Sequence, residues 1–442
     1  MNKNIEIAQA AQWNDEFRKE KTNAFIQNAV IHNDLKKVAL NYEKEIAGRV
    51  IFPENFKTGD IISQKASSRC WLFASLNMLR EKVISANNIK SDFAFSTGYV
   101  TFWDRMEKAN KFLEEVIELG EDIFNVPFGM THLTEPAPEG GQWFMFRNIV
   151  EKYGLVPMDS MPETFHSIGS ADYSKLLKRM LRNGASQILE LKRNGADDEA
   201  LRAKKEEILG HVYKMFCCTL GTPPKTVTFE YYDKDDNYHR VEGLTSHEFL
   251  KKFWPGDVTE YITCTNAPGR NREMNKTYTV ERFGNMVGGV KSFYYNIEMS
   301  EIKELIKKQL DDGEGVVFGC DSANMMDRTS GIMSVDTYEM ESLFGMENHM
   351  SKADVMDTQE TMARHAMVIC AYKEFDDGRR YWKVENSWGT DFGQKGYWIM
   401  DEEYLDKYAI EFTLNKKYLN EKQLQEIQME PTVLRFDDPL GA

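Results

Sequence analysis

The sequence predicts an α+β protein built as a helical lobe and a strand-rich lobe, and three observations carry that prediction. Apolar residues recur with the period of a helix from Cys70 to about Tyr153. Short apolar runs separated by turn residues fill the last third. A charged helical stretch, 172–216, lies between them. At 442 residues the chain has room for two or three structural lobes of about 150 residues each. Hydrophobic residues make up 42%, which is material for a substantial core.

Residues 5–48 carry mixed charge, with Ile7, Ala10, Phe17, Phe25 and Val30 at helical spacing and no turn clusters, which reads as helices and an arm. Residues 54–69 are loop-like. From Cys70, the series Leu72, Phe73, Leu76, Leu79, Val83 and Ile84 repeats as one helix. Residues 101–119 form a second, with Trp103, Met106, Phe112, Leu113, Val116 and Ile117 on its apolar side. Gly140-Gly141 interrupts the chain before a third helix that runs to about Tyr153, where Gly154 suits a C-terminal cap. The lysine, arginine and glutamate density of 172–216 reads as the solvated face of helices outside the core. Residues 226–244 read as a hairpin turning near Asp235-Asp236-Asn237. Residues 300–321 read as a helix, a turn and a buried strand. Segments 365–375 and 379–389 read as strands joined at Asp376-Asp377-Gly378, because Asp-Gly between apolar runs favours a tight hairpin.

Composition excludes several classes. Lys and Arg total 55 against 70 Asp and Glu, a net charge of -15. That is the wrong sign for a protein that holds phosphate backbones through basic contacts, and it reads as solubility. No run of about 18 apolar residues marks a membrane span. The N-terminal MNKNIEIAQAAQWNDEFRKEK lacks the apolar centre of a signal peptide. Six cysteines, with Cys217 and Cys218 adjacent, are not a disulfide framework and fit reduced thiols in the cytosol. The sequence has no C-x-x-C pair, H-E-x-x-H, phosphate loop or G-x-S-x-G elbow, so no metal reading competes well.

The stretch SQKASSRCWLFA, residues 63–74, places Cys70 where a loop meets a helix. In a first helical turn the free N–H groups and the macrodipole favour a thiolate, the nucleophilic form of cysteine. Gln64, six residues upstream, can aim an amide N–H at the oxyanion formed when a thiolate attacks a carbonyl, with the Cys70 N–H as second donor. His365 opens one strand of the C-terminal hairpin and Asn386 lies near the end of the other. An asparagine carbonyl that accepts from the imidazole would fix its tautomer and orientation. A two-residue turn at Asp377-Gly378 sets His365 opposite position 390, so a bulge or another register is needed to bring Asn386 to it. Trp388 can cover that contact and exclude water. Taken singly, each has a plainer reading as a buried thiol, a surface glutamine, or a core histidine or tryptophan. Cys217, Cys218, Cys264, Cys320 and Cys370 keep that reading.

Taken together, the residues resemble papain-like cysteine peptidases. The pattern Q-x5-C-W, a late H-A-M, then N-S-W-G-x-x-x-G-x-x-G-Y stands here as Gln64, Cys70-Trp71, His365-Ala366-Met367, and Asn386-Ser387-Trp388-Gly389 through Gly393 and Gly396-Tyr397. QKASSRCWLF, EGGQWFMFRNIVEKYGLVP, LGTPPKTVTFEYYDKDDNYHRVEGLT, VENSWGTDFGQKGYW and EPTVLRFDDPLGA resemble the bleomycin hydrolase and bacterial aminopeptidase C branch, so the likeness runs over nearly the whole chain. It implies a papain-like two-lobed fold with a β-barrel-like second lobe. The implied parts are an N-terminal helical arm over 1–60, a helical lobe with Cys70 over 61–165, and a mainly helical insertion over 166–290. A β lobe with His365 and Asn386 over 291–418 and a C-terminal arm over 419–442 that reaches the active site complete it.

The resemblance also implies a cytoplasmic homohexamer without a cofactor, its sites facing an internal chamber, and peptides rather than nucleic acid or membrane as partners. Gly140 and Gly141 look like a substrate-backbone site, since missing side chains let a peptide approach closely. Trp388 joins them at the substrate. The Ala442 carboxylate would pair with the substrate α-amine, which makes the enzyme an aminopeptidase on short peptides. Ser68 stands where the family usually has glycine, and Arg364 where it usually has threonine. The chain ends at Ala442 where relatives often continue. A shorter arm leaves room for the alternative, an endopeptidase of the same branch. A nucleic-acid-binding or scaffolding hexamer and an acyl transferase with the same Cys–His logic are the readings from other classes.

Overall fold

The computed structural model describes residues 3–53, 56 and 58–441. Helices α1 (Ile7–Lys19) and α2 (Lys21–His32) bury no residue and stand outside the packed body. The helical lobe is built on α3 (Cys70–Ala86), α4 (Thr97–Leu119) and α5 (Trp143–Tyr153). Helix α3 is buried all round from Trp71 to Glu81, which makes it a central helix rather than a surface one. Helix α5 stops at Gly154, whose φ of +67° is left-handed. A Cβ there would meet the Ser246 backbone at 2.7 Å, so glycine is needed twice over.

Helices α6 (Ala171–Arg193) and α7 (Asp198–Leu220) form a hairpin against α4. Leu177, Leu181, Ile188, Val212, Phe216 and Leu220 are fully buried there. The charge of 172–216 therefore marks only the outer faces, and the inner stripe belongs to the main core rather than lying outside it. Next comes the hairpin β1 (Val227–Tyr232) and β2 (Tyr238–Leu244). Its turn is held by Asp233, whose carboxylate accepts from the N–H groups of Asp235 and Asn237.

The second lobe is a sheet of eleven strands among the described residues. It contains β3 (Tyr261–Thr265), β4 (Lys276–Val280), β5 (Tyr294–Asn296), β6 (Val316–Cys320), β7 (Met326–Asp327) and β8 (Ile332–Met333). The rest are β9 (His365–Glu374), β10 (Arg380–Glu385), β11 (Tyr397–Asp401), β12 (Ala409–Asn415) and β13 (Thr432–Leu434). The order is β13-β4-β5-β3-β12-β6-β9-β10-β11-β8-β7, so in its hydrogen bonding the barrel-like lobe is an open sheet with β13 and β7 as edges.

The insertion expected over 166–290 ends earlier. Strand β3 pairs with β12 and β5, and β4 with β5 and β13, so residues 261–280 belong to the sheet. Every residue of β3 is buried on both faces, and its Ile-Thr-Cys-Thr alternation is too short to stand out in the sequence.

Two features bring the lobes together at one point. Helix α3 packs along β9, so its N-terminus arrives beside the start of that strand. Behind it, Asn77 Nδ2 donates to Glu385 Oε1 at 2.7 Å, and Arg80 lies 3.3 Å from the same carboxylate. Burial pushes the Glu385 carboxyl up to about 7 against the opposing pull of Arg80. The register of the β9–β10 hairpin also differs from the simple one. Arg380 faces Glu374, Lys383 faces Ala371 and Val384 faces Ile369, so Cys370 of β9 is a one-residue bulge, and Glu385 then faces Val368. The bulge is the device that lets Asn386 reach His365.

Candidate active site

The loop before α3 is stapled in place. Ser67 Oγ donates to Gln64 O at 2.6 Å and accepts from Arg69 Nε at 3.0 Å. Arg69 itself is 1% exposed and forks onto Glu163 at 3.1 and 2.7 Å. Gln64 Nε2 donates to Ser67 O at 2.7 Å, and Oε1 accepts from Ser387 Oγ at 2.8 Å. Those two bonds fix the amide plane and leave one Nε2 hydrogen for the cleft that Gln64 lines. Cys70 is the first residue of α3, so its N–H has no intrahelical partner.

His365 is buried, and its Nε2–H donates to Asn386 Oδ1 at 2.9 Å. Asn386 Oδ1 also accepts from the Ser387 N–H at 2.7 Å, which turns the amide oxygen rather than the nitrogen toward the ring. Nδ1 is then the ring nitrogen left for Cys70. Burial alone would raise the Cys70 thiol. The His365 charge and hydrogen bond, with the backbone at Ala366 and Trp71, outweigh it and hold the thiol below its usual value. Burial instead pushes Cys264, Cys320 and Cys370 up, as for inert core thiols. Trp388 packs on His365 with ring centres 4.8 Å apart, and Arg328 covers its ring at 4.4 Å.

The glycine pair has two different reasons. A Cβ on Gly141 would lie 2.7 Å from the Trp71 indole, so Gly141 is there for Trp71. A Cβ on Gly140 would meet nothing within 4 Å, which leaves the cleft open at that point. The loop carrying them is clamped from below. Trp71 Nε1 donates to Glu139 O at 2.9 Å. Lys108 Nζ donates to Pro138 O at 3.0 Å and Gly140 O at 2.6 Å, and lies 2.9 Å from Asp104. Because a trans peptide opposes its C=O and N–H, drawing Gly140 O inward turns the Gly141 N–H away from Lys108.

The C-terminal segment enters the same cleft. Leu440 is fully buried, and its carbonyl accepts from Gln142 Nε2 at 3.0 Å and Tyr294 OH at 2.7 Å. Gly441 lines the cleft together with Cys70, His365, Gln64 and Trp388. Ala442 lies outside the described residues. Beneath this segment Glu411 accepts from Gln142 at 2.7 Å, and burial pushes its carboxyl up to about 8. The cleft measures about 880 Å³.

Cys70, His365, Asn386, Gln64, Gly140, Gly141 and Trp388 thus come together from segments far apart in the chain. Lys108, Tyr294, Glu411 and Arg328 were not visible in the sequence, because each joins the site only through packing. Glu139 and Gln142 stand inside the EGGQW motif, which was the available signal for them. Among the described residues, no group of His, Cys, Asp or Glu is placed to hold a metal ion, and no helix is long and apolar enough to cross a membrane.

A half-buried thiol at a helix start, beside an imidazole held by an asparagine, is the site of a thiol peptidase. The chain matches the model of the Peptidase C1-like family over residues 4–441 and belongs to that family. It is 35% identical over 442 residues to Aminopeptidase C of Listeria innocua, covering 100% of this chain and 99% of that protein. It is 36% identical over 418 residues to Aminopeptidase C of Streptococcus thermophilus, covering 94% of each. The crystal structure of PepW from Lactobacillus rhamnosis matches with a TM-score of 0.97 at 35% identity, covering 100% of both chains. The fold is α+β and papain-like.

Proposed function

We propose that this protein is a cysteine aminopeptidase that removes N-terminal residues from short peptides. The observation that carries the proposal is the line from Cys70 through His365 to Asn386, with the thiol held below its usual value by the imidazole. His365 Nδ1 takes the Sγ proton, and the thiolate attacks the carbonyl carbon of the scissile bond. The oxyanion accepts from the free Nε2 hydrogen of Gln64 and the Cys70 N–H. As the tetrahedral adduct collapses, His365 gives its proton to the leaving amine. His365 then deprotonates a water that attacks the thioester, releasing the carboxylate product and the thiol. Asn386 keeps the ring in place through both transfers, and Trp388 shields their bond from water.

The aminopeptidase direction is supported by the C-terminal segment, buried at Leu440 and lining one end of the cleft at Gly441, and by the names of the relatives. The endopeptidase alternative is not favoured. A homohexamer is supported by α1 and α2, which expose Ile7, Trp13 and Phe25 at 90%, 49% and 76% among the described residues. A cytoplasmic place fits six unpaired thiols. The net charge of -15 favours peptide rather than nucleic acid as ligand. The test is hydrolysis of one oligopeptide series with free or acetylated N-termini, by wild type and Cys70→Ala. Cleavage of free amines only, lost in Cys70→Ala, is expected. Equal cleavage of the acetylated set would replace this reading with an endopeptidase.

A further inference from the structure

The two ends of the cleft differ in charge. At one end Gly140 and Gly441 share a side pocket that Arg328, Trp388 and Phe392 do not touch. At the other, Trp388 packs on the imidazole that protonates the leaving amine, so the segment after the cut departs over this side. Three cations line the cleft here. Arg328 covers the outer face of Trp388. Arg364 directly precedes His365. Lys65 follows Gln64, and its backbone N–H bonds Ser63 Oγ at 3.3 Å, where Ser63 bridges to Trp388.

Among the described residues, none of these three side chains makes a hydrogen bond or an ion pair. The Arg364 charge acts on Asp321 without a direct bond. Asp391, exposed on the rim, is the carboxylate on this side of the lining, against three cations. Glu411 lies under the C-terminal segment at the opposite end. The surplus is local, since the chain as a whole carries -15. Unpaired cations in a partly enclosed cleft, two of them guanidinium forks, suit a planar carboxylate.

Resting on the aminopeptidase reading, we infer that Arg328, Arg364 and Lys65 bind a carboxylate of the leaving segment, so that the preferred substrates carry a negative charge just after the cut. Two sources supply that group. One is the C-terminal carboxylate of a dipeptide, and the other is an acidic side chain on the residue after the scissile bond. The first would make the enzyme a dipeptide-preferring exopeptidase, which reads both ends of its substrate.

The experiment measures kcat/KM for Ala-Ala, Ala-Ala-NH2 and Ala-Asp-NH2 with wild type and with Arg328→Gln/Arg364→Thr, in which both exposed guanidinium groups are gone. Wild type should prefer Ala-Ala over Ala-Ala-NH2 by about five- to tenfold, the scale of a few exposed charge pairs. In the double variant the preference should shrink to about twofold or less. Ala-Asp-NH2 cleaved like Ala-Ala supports the proposal with a side-chain carboxylate as an accepted source. Ala-Asp-NH2 cleaved like Ala-Ala-NH2 supports it with the chain terminus as the source. Ala-Asp-NH2 alone cleaved faster supports the proposal with the side chain as the sole source. Equal wild-type rates on all three peptides overturn the inference and leave the aminopeptidase reading standing, as does a preference that survives in the double variant. No Cys70-dependent cleavage of any of the three overturns both.

Discussion

Replacing Lys108 by methionine should destabilise the protein and loosen its substrate loop, although Lys108 lies under the cleft. Its Nζ meets Asp104 at 2.9 Å, Pro138 O at 3.0 Å and Gly140 O at 2.6 Å, and the residue is 4% exposed. The substitution leaves the 1%-exposed Asp104 with Asn285 Nδ2, at 2.9 Å, as its remaining donor. Breaking a buried pair in this way costs about 3–5 kcal/mol. The pair itself is worth less, because burial works against the Lys108 charge, which Asp104 only offsets. Lys108→Met/Asp104→Asn should therefore be more stable than Lys108→Met, recovering about 1–3 kcal/mol. Denaturation in urea, followed by tryptophan fluorescence, measures both. The single variant should also show a raised KM on free-amine peptides, while Cys70 is alkylated by iodoacetamide at the wild-type rate. A single variant within about 1 kcal/mol of wild type, or a double variant no more stable than the single, would refute the reasoning.

Other outcomes follow from the same geometry. His365→Ala removes the charge and hydrogen bond that lower the Cys70 thiol, leaving burial, which raises it. Iodoacetamide should then label Cys70 more slowly at neutral pH, with its titration moved upward, and an unchanged profile would exclude the imidazole as the cause. Gln64→Ala should lower kcat by about 10²–10³ with little change in KM, as measured in steady-state kinetics. Asn386→Ala should lower kcat at least about tenfold by freeing the imidazole, without unfolding the protein. Burial raises Glu411 to about 8 from an ordinary 4.5. Between those values the folded protein holds a proton that the unfolded chain has lost, so this group makes stability fall as pH rises from about 4.5 to about 8. Glu411→Gln should remove that slope in denaturation curves taken across the window, and a slope that persists would locate it elsewhere.

Local pattern was enough for several of the elements. The period from Leu72 to Ile84, the Gly154 stop and the Asp-Gly turn each reflect neighbouring residues alone, and the structure has α3, α5 and the β9–β10 hairpin there. Cys70, Gln64, His365 and Asn386 were legible because in combination they match the papain-like pattern, and thiol chemistry gives each a role there, although each alone had a plainer reading. Strand β3 was not legible, since its alternation spans only four residues and its partners lie far along the chain. The inner stripe of α6 and α7 was masked by the charge on their outer faces.

What the tertiary structure decided is contact between segments that sequence spacing does not relate. The bulge at Cys370, opposite Lys383 and invisible in a turn motif, is what brings Asn386 to the imidazole. Lys108 holds a loop about thirty residues away because α4 passes beneath it. Glu411, Tyr294 and Leu440 meet because β12, β5 and the C-terminal segment converge. Arg328 meets Trp388 because a short edge strand ends beside the cleft. The sequence by itself determined which chemistry the chain can do. Only packing determined which charges surround it, because burial and proximity are properties of the folded chain and not of residue order.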